Sequence, residues 1–328
     1  MLKAVITGVA GQDGSYLSDL LLSKGYMVIG IALRHSSNHS YKNIAHLKNN
    51  DRFKLVEGNI TDSTLISRVL HDYQPHEWYN LAAMSHVGQS FKEPLASFDI
   101  NAKAVTGQLE CIRQNSPYTR FYQASTSELF GGLSCPEAGY SEASPFHPRS
   151  PYGVAKLAAY WSVINYREAY NIFACNGVLH NHSSPRRGND FATRKITRGV
   201  AKVKLGLEPH LPMGNLEAFR DEGHSKDYCK AMWMILQADK PQDFVVATGA
   251  GATIKEMLEY VCSLAGLEFS SVYKMDERFM RPSDVPFLLG NPKKIQEELG
   301  WEPEYTWKAL LKEMYYSDLN DLGRVREG

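Results

Sequence analysis

The chain has 328 residues, of which 43% are hydrophobic and 22% charged, the balance of a globular protein with a sizeable core. Lysine plus arginine and aspartate plus glutamate each number 36, so the formal net charge is zero, and neither nucleic acid nor a membrane is an expected partner. The five cysteines form no C-x-x-C pair, which argues against a zinc site or a disulfide framework.

The N-terminus shows no signal peptide, because an apolar strand pattern begins almost at Lys3 and a glycine-rich turn follows. No apolar run approaches the roughly 20 residues that a membrane span needs. We therefore expect a cytoplasmic protein that holds no metal.

Short apolar runs alternate with helical patterns through the first half of the chain. The predicted strands are 4–7, 27–32, 53–56, 77–80, 120–124 and 173–179, and the predicted helices are 15–24, 63–72, one ending near Gln114, and 152–170. Strands that alternate with helices predict a parallel sheet covered on both faces. The fold class is therefore α/β, with a Rossmann-type doubly wound sheet.

The pattern becomes less regular after Asn181. The segments 184–188 and 206–223 are less regular. We predict a strand at 244–248 that returns to the sheet, and helices at 254–265 and 293–299 with Gly300 as a C-cap. The predicted division is a dinucleotide-binding domain at 1–180, with a returning segment near 213–250. The remainder, 181–328, is mostly a smaller mixed α/β domain for the substrate.

The segment from Gly8 to Gly14 reads GVAGQDG and lies between the first predicted strand and the first predicted helix. Glycine here permits a tight turn and lets the backbone approach a pyrophosphate, which the helix N-terminus attracts. The segment therefore predicts a dinucleotide site, the alternative being a merely structural strand–helix turn.

The second strand is followed by Leu33-Arg34-His35-Ser36-Ser37, without an acidic residue for a ribose 2′-hydroxyl. Arg34 could pair with a 2′-phosphate, and Ser36 could donate a hydrogen bond to it. The predicted cofactor is therefore NADP rather than NAD. The alternative for Arg34 is a solvated surface arginine.

Tyr152 and Lys156 are four residues apart at the start of a long predicted helix, so both lie on one face. We expect the Lys156 ammonium to lower the pKa of the Tyr152 phenol, which could then act as a base near neutral pH.

A hydroxyl and a carboxylate follow the strand at 120–124, where the carboxyl ends of parallel strands form an active-site rim. We predict that Thr126 hydrogen-bonds the reacting hydroxyl of the substrate. Ser127 is also predicted to be catalytic, together with Thr126, Tyr152 and Lys156. Glu128 serves as a second acid or base. The alternative for Glu128 is a carboxylate that favours a helix start.

Together these residues resemble the extended short-chain dehydrogenase/reductases. Other segments resemble the GDP-mannose 4,6-dehydratase family specifically: 80–87 (NLAAMSHV), 121–130, 149–152, 181–197, 220–228, 281–285 and 299–301. The resemblance covers nearly the whole chain. Its most discriminating piece is 181–197, which contains SPRRG and TRKIT.

The resemblance implies a role for each matched position. Cofactor contacts are implied for Gly8, Gly11, Gln12, Asp13, Gly14, Arg34, Ser36, Asn59, Ile60, Leu81, Ala82, Ala83, Ser85, Tyr152, Lys156, His182 and Arg187. Contacts with the sugar nucleotide are implied for Ser85, Asn181, Lys195, Arg220, Arg281 and Asp284.

The chain departs from the family pattern at a few positions. Leu33 replaces the first of two arginines, Ser183 replaces a glutamate, and Glu222 replaces a tryptophan. Because the catalytic residues are intact, we expect the reaction to be kept. The sugar could be mannose or another GDP-linked sugar, such as N-acetylglucosamine or a heptose.

The expected function is a nucleotide-sugar 4,6-dehydratase that uses NADP with no net redox change. Tyr152 would take the 4-hydroxyl proton while hydride leaves C4, Glu128 would remove the C5 proton, and hydride would return to C6 as water is lost. The alternatives are a sugar-nucleotide 4-epimerase or reductase on the same fold, and a non-catalytic NADP-binding regulatory protein.

The resemblance also implies a homodimer or a homotetramer. The dimer would use the helix at 152–170 and the helix ending near Gln114. The tetramer would use the loop at 34–43, with His39 and Asn43 contacting a neighbouring subunit.

Overall fold

The computed structural model describes residues 1–34, 38–132, 134–279 and 285–327. The strands are β1 (Lys3–Thr7), β2 (Met27–Ala32), β3 (Phe53–Glu57), β4 (Glu77–Asn80), β5 (Arg120–Thr126), β6 (Ala174–Leu179), β7 (Asn181–Ser183), β8 (Leu211–Met213), β9 (Phe219–His224), β10 (Phe244–Val246), β11 (Gly251–Thr253), β12 (Tyr273–Met275) and β13 (Phe287–Leu288). The helices are α1 (Gln12–Ser23), α2 (Ser63–Tyr73), α3 (Val87–Ser90), α4 (Pro94–Phe98), α5 (Ala104–Asn115), α6 (Pro151–Tyr170), α7 (Ala192–Lys204), α8 (Ser225–Gln237), α9 (Ile254–Ala265), α10 (Phe269–Val272), α11 (Lys293–Leu299) and α12 (Trp307–Glu327). Short 3₁₀ segments cover Asn38–Leu47, Ser127–Leu129 and Glu277–Phe279.

Seven strands form the central sheet in the order β3-β2-β1-β4-β5-β6-β10. Every neighbouring pair is parallel. This is the Rossmann strand order with one strand added beside β6, so the prediction of a doubly wound parallel sheet is confirmed.

Both faces of this sheet are covered, and two of its inner strands, β1 and β2, are nearly continuous apolar runs. One core cluster lies between the sheet and helices α1 and α8, with Leu17 and Met232 fully buried. A second cluster lies on the other face, where α2, α5 and α6 contribute side chains such as Ile66, Ile112 and Val163.

A smaller sheet is built around β9, which pairs in parallel with β7 and β13 and antiparallel with β11. Only His180 separates β6 of the large sheet from β7 of the small one. A third apolar cluster unites α7, α9 and α12 beside the small sheet. The chain thus passes directly from one sheet to the other at the carboxyl end of β6.

Secondary-structure prediction was least complete after Asn181, because helices α7, α8 and α12 were not predicted and β8 and β9 lie in or at the end of the less regular stretch 206–223. The β9 sequence, FRDEGH, lacks the apolar run of a buried strand, yet five of its six residues are buried. The prediction of a returning strand at 244–248 is confirmed, because Phe244 pairs with Gly177. Gly300 ends α11 in the left-handed region, as predicted.

None of the helices in the described part of the chain is long and apolar enough to cross a bilayer. The described side chains include no cluster of His, Cys, Asp and Glu suited to a metal ion. All five cysteines are free thiols.

Candidate active site

A deep cleft of about 1400 Å³ runs along the carboxyl edge of the central sheet and under the small sheet. Pockets for one small ligand usually measure about 300–1,000 Å³, so this cleft has room for more than one. It lies where Rossmann sheets bind ligands, at the strand ends near the reversal of strand order. Every predicted site residue in the described part of the chain lines it, except Arg34.

The glycine-rich turn fits a pyrophosphate because no side chain stands in the way. Gly8 has a φ of +70°, and a Cβ there would lie 2.8 Å from the Cα of Ala82. Gly11 is the N-cap of α1, so the first amides of that helix open onto the cleft. The helix N-terminus and the bare backbone together form an anion cradle.

The side chains of the turn bind other parts of the chain rather than solvent. Asp13 accepts hydrogen bonds from Ser225 and from His182 Nε2, the latter at 3.0 Å. The Gln12 amide donates to the carbonyl of His182 at 3.2 Å and accepts from Ser184 at 2.8 Å. Burial alone would raise the pKa of Asp13, but His182, Ser225 and Arg187 hold it well below its usual value. Gln12, Asp13 and His182 therefore fix the turn against β7.

The residues predicted to select NADP lie at the edge of the described structure. The Arg34 side chain is 84% exposed and lies 3.8 Å from the Glu57 carboxylate. Asn59, Ile60 and the loop from Leu81 to Ser85, which includes Ala82 and Ala83, line the cleft nearby. Ser36 lies outside the described residues.

The catalytic set predicted from sequence comes together at one end of the cleft. Ser150 caps α6 and places Tyr152 and Lys156 in its first two turns, both buried. Lys156 Nζ donates to the Ala124 carbonyl at 2.9 Å and lies 5.8 Å from the Tyr152 ring centroid. The Thr126 hydroxyl is near the Tyr152 phenol and opposes the rise of its pKa.

The Tyr152 phenol is less acidic than the sequence predicted. Burial raises its pKa to about 12, and the nearby Glu128 carboxylate adds to the rise, while Thr126 and Arg187 oppose it. Burial also lowers the pKa of Lys156 to about 8. The prediction that Lys156 lowers the pKa of Tyr152 is wrong for this structure, because desolvation outweighs any effect of an ammonium committed to Ala124.

Ser127 and Glu128 follow Thr126 at the end of β5 and are buried at the cleft wall. The Glu128 backbone amide donates to Thr126 Oγ1 at 3.2 Å, which fixes the start of the 3₁₀ turn. A carboxylate, two hydroxyls and a phenol therefore face the same space, as acid–base chemistry on a hydroxylated substrate requires.

Cationic side chains also line the cleft. Lys195 lies 3.0 Å from the Phe279 ring centroid, and burial lowers its pKa to about 8. The Arg187 guanidinium lies 3.8 Å from the Phe191 ring centroid, and among the described residues its buried Nε has no hydrogen-bond partner. Arg220 and Asn181 line the same region. Arg281 and Asp284 lie outside the described residues.

The chain matches a known protein family over most of its length. The family described as GDP-mannose 4,6 dehydratase matches residues 5–314. This chain belongs to that family. The GDP-mannose 4,6-dehydratase of Yersinia enterocolitica is 45% identical over 97% of this chain and 94% of its own length. The human GDP-mannose 4,6 dehydratase is 44% identical, with 96% and 91% covered.

Solved structures share the fold at lower identity. A dTDP-glucose 4,6-dehydratase from Bacillus anthracis aligns over 98% of both chains with a TM-score of 0.85 and 23% identity. A UDP-glucose 4-epimerase from Thermotoga maritima aligns over 98% of this chain and all of its own, with a TM-score of 0.86 and 24% identity. One fold therefore serves both reactions, and the chemistry must be argued from the family and the site.

The cleft residues that were not predicted as ligand contacts include Asn43, His180 and Glu222. Asn43 donates from its amide to the carbonyls of Ala10 and Arg186, both at 3.2 Å, so it is engaged within its own subunit. His180 and Glu222 are buried at the cleft wall. The departure from the family pattern at position 222 was a signal in the sequence, and His180 gave none.

Proposed function

We propose that this protein dehydrates GDP-mannose to the 4-keto-6-deoxy sugar nucleotide. The observation that carries the proposal is the convergence of Thr126, Glu128 and Tyr152 at one wall of the cleft, in a chain of the GDP-mannose 4,6-dehydratase family. A carboxylate beside the phenol supplies the second acid–base group that elimination of water needs.

The cleft fits a nicotinamide dinucleotide, and we propose NADP. The backbone of Gly8, Gly11 and Gly14 would hold its diphosphate, while Arg34 with Ser36 would face a 2′-phosphate. When bound, this cofactor supplies the redox chemistry, taking a hydride from C4 of the sugar and giving one back at C6.

Tyr152 and Thr126 act on the 4-hydroxyl of the sugar. With its pKa raised to about 12, Tyr152 is a neutral phenol in the free protein. Tyr152 must therefore first release its own proton to solvent. The resulting phenolate then takes the 4-hydroxyl proton as hydride leaves C4. Lys156, anchored on Ala124, keeps a positive charge beneath the phenol.

Glu128 acts at C5 and C6. A ketone at C4 acidifies the C5 hydrogen, which the Glu128 carboxylate removes, and the same group then protonates the leaving 6-hydroxyl. Glu128 takes up a proton from solvent and returns it to C5 when hydride is added at C6. Ser127 precedes Glu128 in the same turn, and its hydroxyl can hydrogen-bond the leaving oxygen.

The direct test is mass spectrometry of GDP-mannose incubated with the protein and NADP. A dehydratase yields a product lighter by about 18 mass units, one water, because the 6-hydroxyl is eliminated. An unchanged mass with inverted C4 would establish the epimerase alternative, and an unchanged substrate would establish a binding protein.

We propose a division of the chain and an assembly. Residues 1–180, with the segment near 213–250, bind the cofactor, and most of 181–328 binds the sugar nucleotide. Two copies associate through α6, whose Val154 and Trp161 are exposed beside exposed Leu95 on α4. Light scattering tests this, because a monomer with and without NADP would rule the dimer out.

A further inference from the structure

Glu222 is a buried acid that the mechanism above does not use. It lies in the middle of β9, is only 3% exposed and lines the cleft. Among the described residues, its Oε1 atom has no hydrogen-bond partner. A buried carboxylate without a partner for one oxygen is costly, so its presence requires a donor that the protein does not supply.

A row of hydroxyls lies beside the carboxylate. Ser183 is near the Glu222 carboxylate and opposes the rise of its pKa, and Ser183 Oγ lies 2.7 Å from Thr193 Oγ1. Thr193 begins α7, the helix that also carries Lys195. Glu222 itself lines the cleft, so a change of side-chain rotation can bring its carboxylate to a ligand bound there.

The strand geometry places Glu222 on the side that binds the sugar. Side chains two residues apart on a strand share a face, so Glu222 follows Arg220 along the same face of β9. Glu222 is also opposite Asn181 across the β7–β9 pair. Arg220 and Asn181 are the expected contacts of the sugar nucleotide.

The charge around Glu222 suits a neutral hydroxyl donor. Arg187 and His182 favour the charged carboxylate, although burial raises its pKa above the ordinary value. A phosphate would be repelled by this acid, whereas a sugar hydroxyl donates without adding charge. The reaction changes C4, C5 and C6 of the hexose, so its 2- and 3-hydroxyls are the groups free to be recognised.

We propose that the Glu222 carboxylate accepts a hydrogen bond from the 2- or the 3-hydroxyl of the bound hexose, and so selects the sugar. The proposal rests on the proposed function for the identity of the ligand. The position at which this family usually carries a tryptophan thus becomes a polar contact, supported by Ser183 from the neighbouring strand.

Calorimetry of the full chain provides the first test, with GDP-mannose and GDP as probes. Glu222→Gln keeps the size of the side chain and removes its charge. We expect it to weaken GDP-mannose binding roughly 10- to 100-fold, the effect of a hydrogen bond to a charged group, and to leave GDP binding unchanged. Ser183→Ala should weaken GDP-mannose binding less, in the same direction. Glu217→Gln, the same change at an exposed position near the start of β9, should alter neither.

Deoxy sugars identify the hydroxyl. The wild-type kcat/KM for either the 2-deoxy or the 3-deoxy analogue of GDP-mannose should fall roughly 10- to 100-fold below that for GDP-mannose. In Glu222→Ala that difference should shrink to about threefold or less, because the acceptor is gone. A difference that persists in full in Glu222→Ala for both analogues would overturn the proposal. Weaker binding of NADP by Glu222→Gln, with GDP-mannose binding intact, would overturn it too.

These experiments distinguish a failure of the Glu222 contact from a failure of the proposed function. If GDP-mannose binds with the predicted dependence on Glu222 but is never dehydrated, the proposed function is wrong and the contact stands. If GDP-mannose is dehydrated equally well by Glu222→Gln, the contact is wrong and the function stands. Matching thermal unfolding curves for the variants exclude a folding defect as the cause.

Discussion

Two neighbouring parts of the cleft satisfy their polar groups differently. At the glycine-rich turn, Gln12 and Asp13 are bonded to other residues of the chain. Near the junction of β6, β7 and β9, His180, Glu222 and the Arg187 Nε atom include buried polar atoms that lack partners among the described residues. Buried polar groups in folded proteins are nearly always hydrogen-bonded. The turn is thus held in shape by the protein itself and forms a prebuilt cradle. At the junction, we propose that a bound ligand supplies the missing hydrogen-bond partners.

The largest effect should come from removing the acid–base group at the wall of the cleft. Glu128→Gln is expected to lower turnover of GDP-mannose by about 100- to 10,000-fold, because general-base help at C5 is lost. Tyr152 and Thr126 would still permit C4 oxidation, so reduced cofactor should accumulate at substoichiometric levels. Steady-state turnover and absorbance of the reduced cofactor measure both. Normal turnover would remove Glu128 from the mechanism.

Breaking the prebuilt cradle should damage cofactor binding. Gly8→Ala places a Cβ against the backbone of Ala82 at a φ of +70°. We expect roughly 1–3 kcal/mol of lost stability from the strain and at least tenfold weaker NADP binding, measured by thermal unfolding and calorimetry. Gly206 has the same φ with no atom within 4 Å, so Gly206→Ala isolates the conformational penalty. Equal losses in the two variants would show that the close approach at Gly8 does not matter.

The ionisation of Lys156 predicts how activity depends on pH. Burial lowers its pKa to about 8, so its ammonium is lost as pH rises through 8. If that charge assists Tyr152, kcat/KM should fall above about pH 8, approaching tenfold per pH unit, since this parameter reports ionisations of the free enzyme. Lys156→Met should have low activity without this alkaline limb. Activity that keeps rising beyond pH 9 would separate Lys156 from the chemistry.

The smallest effect is expected at Arg34, which follows β2 at the solvent-exposed side of the predicted cofactor site. Arg34 is largely exposed and only loosely paired with Glu57, so its contact with a 2′-phosphate is screened by water. Arg34→Ala should weaken NADP binding about 3- to 10-fold and leave NAD binding unchanged, as measured by titration of the apo-protein. The same loss for both cofactors would refute the assignment to the 2′-phosphate. Arg52→Ala, another exposed arginine near β3, serves as the control.

The sequence predicted best where local rules and long-range packing agree. Strand–helix alternation identified the central sheet, and the spacing of Tyr152 and Lys156 placed both in the cleft. It failed at β9, whose polar residues are buried only because β7, β11 and β13 surround them. It failed as well for the pKa of Tyr152, because desolvation depends on packing that no spacing reveals.

The most direct measurement is the reaction of GDP-mannose in D₂O, followed by NMR of the product. Removal and return of the C5 proton by Glu128 predicts deuterium from solvent at C5, and hydride carried within the site predicts that the hydrogen from C4 appears at C6. Glu128→Gln should suppress the C5 label. A product that carries no solvent deuterium at C5 would contradict proton removal there, and with it the assignment of this cleft to dehydration.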